Sequence, residues 1–98
     1  MIARVRFHSI AERELDEAIQ YYAEIGPELA EASIDEIGRG IRSIRQYPKA
    51  APAIAGPLRR YIIRRFPYGI VYASDSNEVF IVAVAHLKRR PLYWAGRT

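Results

Sequence analysis

Between residues 86 and 94 the chain reads His-Leu-Lys-Arg-Arg-Pro-Leu-Tyr-Trp. An imidazole, three cations, a phenol and an indole fall within one short stretch just past an apolar run. Cations hold phosphates, and aromatic rings stack on bases. Cleavage of RNA needs these groups: positive charge at the scissile phosphate, with a base and an acid near the 2′-hydroxyl and the leaving oxygen. His86 could serve as the base and Tyr93 as the acid. The same residues also suit a basic tail that docks on the core through Tyr93 and Trp94, and sequence chemistry leaves both open. Four further arginines, Arg59, Arg60, Arg64 and Arg65, flank a strand. Successive strand residues face opposite ways, so at most half of them can line one surface. They read either as part of an anion-binding face or as edge charges that discourage aggregation.

The other polar groups read as structural. Glu12, Glu14, Asp16 and Glu17 form a solvated helix face, His8 closes a strand, and Tyr61, Tyr68 and Tyr72 pack in or on a sheet. The chain has no cysteine, which excludes disulfides, thiolate chemistry and Cys-based metal sites. With only His8 and His86 as imidazoles, no metal site and no cofactor are expected. No phosphate-binding loop, dinucleotide fingerprint, HExxH or GxSxG is present.

The elements that must position these groups follow from periodicity. Residues 2–8 alternate as a half-buried strand, with Ala3, Val5 and Phe7 on one face. Ser9, three residues before Glu12, forms a capping box that starts a helix. Its stripe is Ala11, Leu15, Ala18, Ile19, Tyr22 and Ile25. Gly26-Pro27 ends it and begins a second helix over 27–46, with Ile34, Ile37, Ile41 and Ile44 as its seam. Gly38 and Gly40 weaken that helix and could let it pack closely on the first. The short link makes an antiparallel hairpin. Residues 48–57 are a Pro-rich loop. Residues 58–66 read as a strand broken by Pro67, 69–73 as the next strand, and 75–77 as a turn. Residues 79–86 are apolar enough for a central strand buried on both faces. The expected fold is α+β in the order β-α-α-β-β-β, a helical hairpin packed on a small, mostly antiparallel sheet, and residues 1–98 form a single domain.

Charge is uneven. The 98 residues carry a net +4, but residues 1–57 hold seven basic and nine acidic side chains and residues 58–98 hold eight and two. A basic half fits an anionic partner, nucleic acid or an acidic protein segment. No apolar run is long enough for a membrane span, no signal peptide is expected, and a reducing cytoplasm suits the missing cysteines.

Three blocks make the chain recognisable: FHSIAERELDEAIQYY (7–22), RRFPYGIVYA (64–73) and VAVAHLKRRPLYW (82–94). With the order of elements, they resemble the RelE/ParE superfamily of type II toxin–antitoxin toxins, also known as plasmid stabilisation proteins. The resemblance covers nearly the whole chain. It implies a cytoplasmic bacterial toxin that inhibits growth and is neutralised by a cognate antitoxin encoded beside it, whose C-terminal segment wraps the toxin. RelE-like members cut messenger RNA on the ribosome, whereas ParE-like members poison DNA gyrase. RelE-like sites carry an arginine at the start of the strand matching 69–73 and another just past the last strand. Here Gly69 and Leu87 stand there, while the C-terminal tyrosine matches at Tyr93. The resemblance therefore implies ParE-like action on gyrase. The alternatives are an mRNA endoribonuclease with Arg65, His86, Arg89 and Tyr93 as catalytic residues, and a degenerate member that only binds its antitoxin. Arg64, Lys88, Arg90 and Trp94 are the expected target- or nucleic-acid-binding residues.

Overall fold

The cap of the first helix falls one residue before the one expected. In the computed structural model, which describes residues 1–97, the first strand β1 (Arg4–Phe7) hands directly to helix α1 (Ser9–Ile25) through His8. His8 keeps extended backbone, and its Nδ1 accepts the Ile10 N–H at 3.1 Å. The imidazole satisfies an orphan donor of the first turn, the service expected of Ser9. His8 N–H is still bonded to Ile81 O at 2.8 Å, so strand geometry persists to residue 8 and the cap falls there.

Helix α1 ends as the sequence predicts. Gly26 N–H donates to Tyr22 O, and Pro27 opens helix α2 (Pro27–Gln46). One linking residue forces the two helices antiparallel. Ala11 and Ala18 of α1 and Ile37 and Ile44 of α2 are buried, whereas Ile25 and Ile34, expected on the apolar stripes, are 58% and 49% exposed. Those two positions drop out of the packed stripe towards the tip of the hairpin.

The loop after α2 contains a strand that the sequence did not announce, β2 (Ala53–Ala55). It is followed by β3 (Leu58–Ile62), β4 (Tyr68–Ser74) and β5 (Glu78–His86). The five strands are ordered β1-β5-β4-β3-β2, with β1 parallel to β5 and every other pair antiparallel. β3 stops at Ile62 rather than running to residue 66. Arg65 adopts a φ of 72°, a left-handed conformation that ends pairing before Pro67. β4 and β5 are the most buried strands, as their apolar runs require.

The hairpin covers one face of the sheet. Ile37, Ile44, Ile70, Tyr72, Ile81 and Val84 form that core. The Tyr72 phenol, fully buried, donates to Pro48 O at 2.6 Å and ties the loop after α2 to the sheet. Ile2 also joins this core, although strict alternation put it with Arg4 and Arg6. It precedes β1, and mutual hydrogen bonds with Arg45, Ile2 N to Arg45 O and Arg45 Nε to Ile2 O, turn it inward.

Gly40 packs on the sheet rather than on α1. A Cβ there would lie 2.8 Å from Tyr61 Cε1, whereas one on Gly38 would meet only the end of Arg42 at 3.5 Å. Gly38→Ala should therefore stabilise by about 0.5–1 kcal/mol through helix propensity. Gly40→Ala should destabilise by about 1–2 kcal/mol, because overpacking outweighs the same propensity gain. Urea midpoints of the two variants check this; equal shifts in one direction would contradict the packing.

Candidate functional site: a basic groove closed by the C-terminal tail

The opposite face of the sheet carries a second, smaller core. Val71, Val82, Ala83 and Ala85 pack there against Trp94, which is only 6% exposed. Residues 87–97 lie over this face as successive tight turns, with Arg89 N–H to His86 O, Ala95 N–H to Leu92 O and Arg97 N–H to Trp94 O. The tail is thus neither a helix nor an extended arm.

What anchors it follows from the sheet. β1 is paired to β5 only as far as Phe7↔Ile81, so the backbone of β5 beyond Ile81 faces no strand on that side. Buried backbone groups must find partners. Glu14 Oε1 accepts the Val84 N–H at 3.1 Å, and Arg97 Nη1 donates to Val82 O at 3.0 Å. The two side chains also pair with each other, Arg97 Nη1 to Glu14 Oε1 at 2.9 Å and Nη2 to Oε2 at 3.2 Å. The Tyr93 hydroxyl donates to Glu14 Oε2 at 2.7 Å. Glu14 therefore does not belong to a solvated acidic face: its side chain is 10% exposed and that of Arg97 11%. Burial works to raise the Glu14 carboxyl, but hydrogen bonds from Arg97, Tyr93 and Val84, with the charge of Arg97, outweigh it and hold the carboxyl below its ordinary value. Burial and the adjacent carboxylate push the Tyr93 phenol up, so it stays protonated.

Beside this anchor lies a groove of about 320 Å³ whose floor includes Val71, Ala85 and Trp94 and whose rim carries Arg60, Arg89 and Arg90. Arg89 stacks on the Tyr93 ring, its guanidinium carbon 3.8 Å from the centroid. The Arg60 stem crosses Gly69 so closely that a Cβ there would lie 3.0 Å from its Cγ and Cδ. Gly69 and Leu87, the two positions without the expected arginines, are neighbours here, since that Cβ would also lie 3.6 Å from Leu87 Cδ2. Arg60 is the functional-surface residue that sequence reasoning left among four equals. Strand alternation separates it from Arg59, whose guanidinium instead holds Ala51 O at 2.7 Å; the signal was present in the period of 2.

Three of the four residues proposed for RNA cleavage, His86, Arg89 and Tyr93, border this groove, but their functional groups do not converge. His86 pairs with Tyr68 in register, so its ring sits on the helix-covered side, 5.2 Å from the Tyr68 ring, with Nδ1 accepting the Lys88 N–H at 3.0 Å. Tyr93 lies on the other face with its hydroxyl engaged by Glu14. Arg64 and Arg65 are exposed in the bend after β3, Arg65 with its guanidinium 5.5 Å from the Phe66 ring. Only Arg89 and Tyr93 touch. Of the expected binding residues, Lys88 and Arg90 are exposed, but Trp94 is buried against the sheet and presents no stacking surface.

Comparison with known proteins bears on what this frame is. The family model described as the ParE toxin of type II toxin-antitoxin system, parDE, matches residues 5–91. The chain belongs to this family of ParE toxins. Toxin ParE2 of Mycobacterium tuberculosis is 30% identical to it over 95 residues, spanning 93% of this chain and 88% of the relative, in both the CDC 1551 / Oshkosh and H37Rv strains. The fold matches a chain of the chromosomal ParDE toxin–antitoxin system from P. aeruginosa with a TM-score of 0.72, covering 87% of this chain and 96% of that one at 19% identity. As a ParE-family toxin the chain is one half of a toxin–antitoxin pair, and an antitoxin is its partner. No helix among the described residues is long and apolar enough to cross a membrane.

Proposed function

We propose that this ParE-family toxin arrests growth in the cytoplasm by acting on DNA gyrase, and that its cognate antitoxin holds it inactive. The dispersal of the candidate nuclease groups is the observation that carries this reading. The phenol of Tyr93 is bound to Glu14 on one side of the sheet while His86 stacks on Tyr68 on the other. Gly69 and Leu87 add no charge where phosphate-binding arginines would stand, and one such loss costs about 100–1,000-fold in rate. A toxin that works by binding needs no such constellation. Exposed Arg64, Lys88 and Arg90 supply positive surface towards the target.

Expression without antitoxin, with DNA and protein synthesis pulse-labelled separately, tests the proposal. DNA synthesis should stop first while translation continues, and His86→Ala should arrest growth as the parent does. An immediate fall in translation, abolished in His86→Ala, would establish the ribonuclease instead. No effect on growth would identify a member that only binds antitoxin.

A further inference from the structure

We propose that the aromatic cleft between the end of α1 and the bend before β4 receives an unstacked base of single-stranded DNA. This goes beyond the action on gyrase proposed above, because it adds a direct contact between toxin and DNA on the helix-covered side of the sheet.

The cleft, about 390 Å³, is lined by Tyr21, Tyr22, Ile25, Pro67, Tyr68 and His86. Its rings meet at steep angles: Tyr21 and Tyr22 at 82° with centroids 5.1 Å apart, Tyr22 and Tyr68 at 72° and 6.3 Å, Tyr68 and His86 at 77° and 5.2 Å. A further flat ring entering such a corner stacks on one face while its edge meets the next. Tyr21 is 57% exposed and Ile25 58%, so the mouth is open to solvent and core packing accounts for neither residue. The hydroxyls of Tyr72 and Tyr93 are taken up by Pro48 O and Glu14, but among the described residues those of Tyr21, Tyr22 and Tyr68 bond no protein group. Burial pushes the Tyr22 and Tyr68 phenols up, so both stay protonated. His86 Nδ1 accepts the Lys88 N–H, which leaves Nε2 to carry the ring proton. Ring faces beside uncharged donors and acceptors are what hold a splayed-out base.

Cations flank the cleft, where the phosphates of that strand would run. Arg64 and Arg65 are exposed just before Pro67, and Lys88 is exposed just after His86. The Arg65 guanidinium lies 5.5 Å from the Phe66 ring, which is itself 4.7 Å from the Tyr22 ring. The left-handed backbone of Arg65, φ 72°, is a conformation that concentrates at functional sites in residues other than glycine. No Asp or Glu lines the cleft, and none of these three cations forms an ion pair among the described residues. Polar-edged rings beside free positive charge select a nucleic acid strand over an apolar peptide anchor. The volume takes a base or two and excludes a duplex, so the strand is single.

The experiment titrates the full chain into fluorescein-labelled dodecathymidylate and follows anisotropy. An iodouracil-substituted strand is then photocrosslinked and the attached residue mapped; Tyr21, Tyr22 or Tyr68 is expected. Tyr21→Ala removes an exposed ring without touching the core and should weaken binding about tenfold. Arg65→Gln should lower the salt dependence by about one released counterion. Tyr47→Ala, which removes another exposed tyrosine outside the cleft, should leave affinity unchanged.

Parent-like affinity in Tyr21→Ala, or attachment at Tyr93 or Trp94, would overturn the cleft. A duplex of the same length bound as tightly as the single strand would reduce the effect to net charge and overturn it as well. Tighter binding of dodecauridylate would assign the cleft to RNA and overturn the DNA reading. Growth arrest by a parent chain that binds no oligonucleotide would overturn the cleft and leave the action on gyrase standing. Binding at Tyr21 by a chain that leaves DNA synthesis untouched would uphold the cleft and sink the gyrase reading instead.

Discussion

Glu14→Ala should cost about 3–5 kcal/mol of stability, the loss typical when one member of a buried ion pair is removed and the other stays behind. Three partners lose their acceptor together: the Arg97 guanidinium, the Tyr93 hydroxyl and the Val84 N–H. Val84 N–H is the most consequential, since it belongs to a strand edge with no other strand to pair it. Urea unfolding followed by circular dichroism measures the loss, and a value below about 1 kcal/mol would mean that water replaces the carboxylate at no penalty. The same residue gives a pH signature. Its carboxyl titrates below the ordinary carboxylate range when folded, so its contribution is complete above that range and disappears as the pH falls through the folded value. The parent chain should therefore loosen its tail on acidification, seen as a red shift of Trp94. Glu14→Gln, already unable to ionise, should show a weakened tail at neutral pH and no such acid step.

Trp94→Ala should be as damaging by a different route. The indole is the largest apolar group on the second face, packed with Val71, Val82, Ala83 and Ala85. Truncating a buried tryptophan costs about 3–5 kcal/mol in lost transfer energy and cavity. Here the cavity would open along the tail, so the turns over 87–97 should detach while the hairpin and sheet persist. Limited trypsin digestion would then cut after Lys88 and Arg89 much faster than in the parent, the Arg90–Pro91 bond being resistant. Trp94→Phe should recover most of the protection. Equal digestion rates in parent and Trp94→Ala would show that Glu14 and Arg97 hold the tail unaided.

Much of this frame was legible from residue order. Helix bounds of 9–25 and 27–46 follow from a 3.6 period punctuated by Gly26-Pro27, where backbone chemistry leaves few choices. The mostly antiparallel sheet follows from short strands with tight links. β2 escaped because Ala53-Ile54-Ala55 sits among prolines and glycine, where local composition favours a loop and only β3 makes it a strand. The role of Glu14 was not readable. It differs from Glu12 and Glu17 only by what lies opposite it, and that opposite side is contributed by Val82, Val84, Tyr93 and Arg97 at the far end of the chain. The basic 86–90 stretch was legible as a surface, but its partition was not. A strand end splits His86 from Tyr93 across the sheet, and the early end of β3 leaves Arg60 rather than Arg64 or Arg65 at the groove.

The pairing of β1 with β5 has a consequence for how the molecule is made. Val5 finds its partner in Val79, and Glu14 finds Arg97, so the first strand and first helix wait for residues synthesised much later. Helix α1 can pack on α2 early, because those contacts are local and close quickly. The sheet cannot close until β5 has left the ribosome, which at about 5–20 residues per second is several seconds after β1 emerges. Through that interval the second face has no tail over it, and the groove with its three arginines does not exist. A chain interrupted before residue 78 would hold the helical hairpin and the β2-β3-β4 ladder, with β1 left unpaired. The order of assembly therefore delays the tail-covered face of the sheet until β5 and the residues after it have emerged.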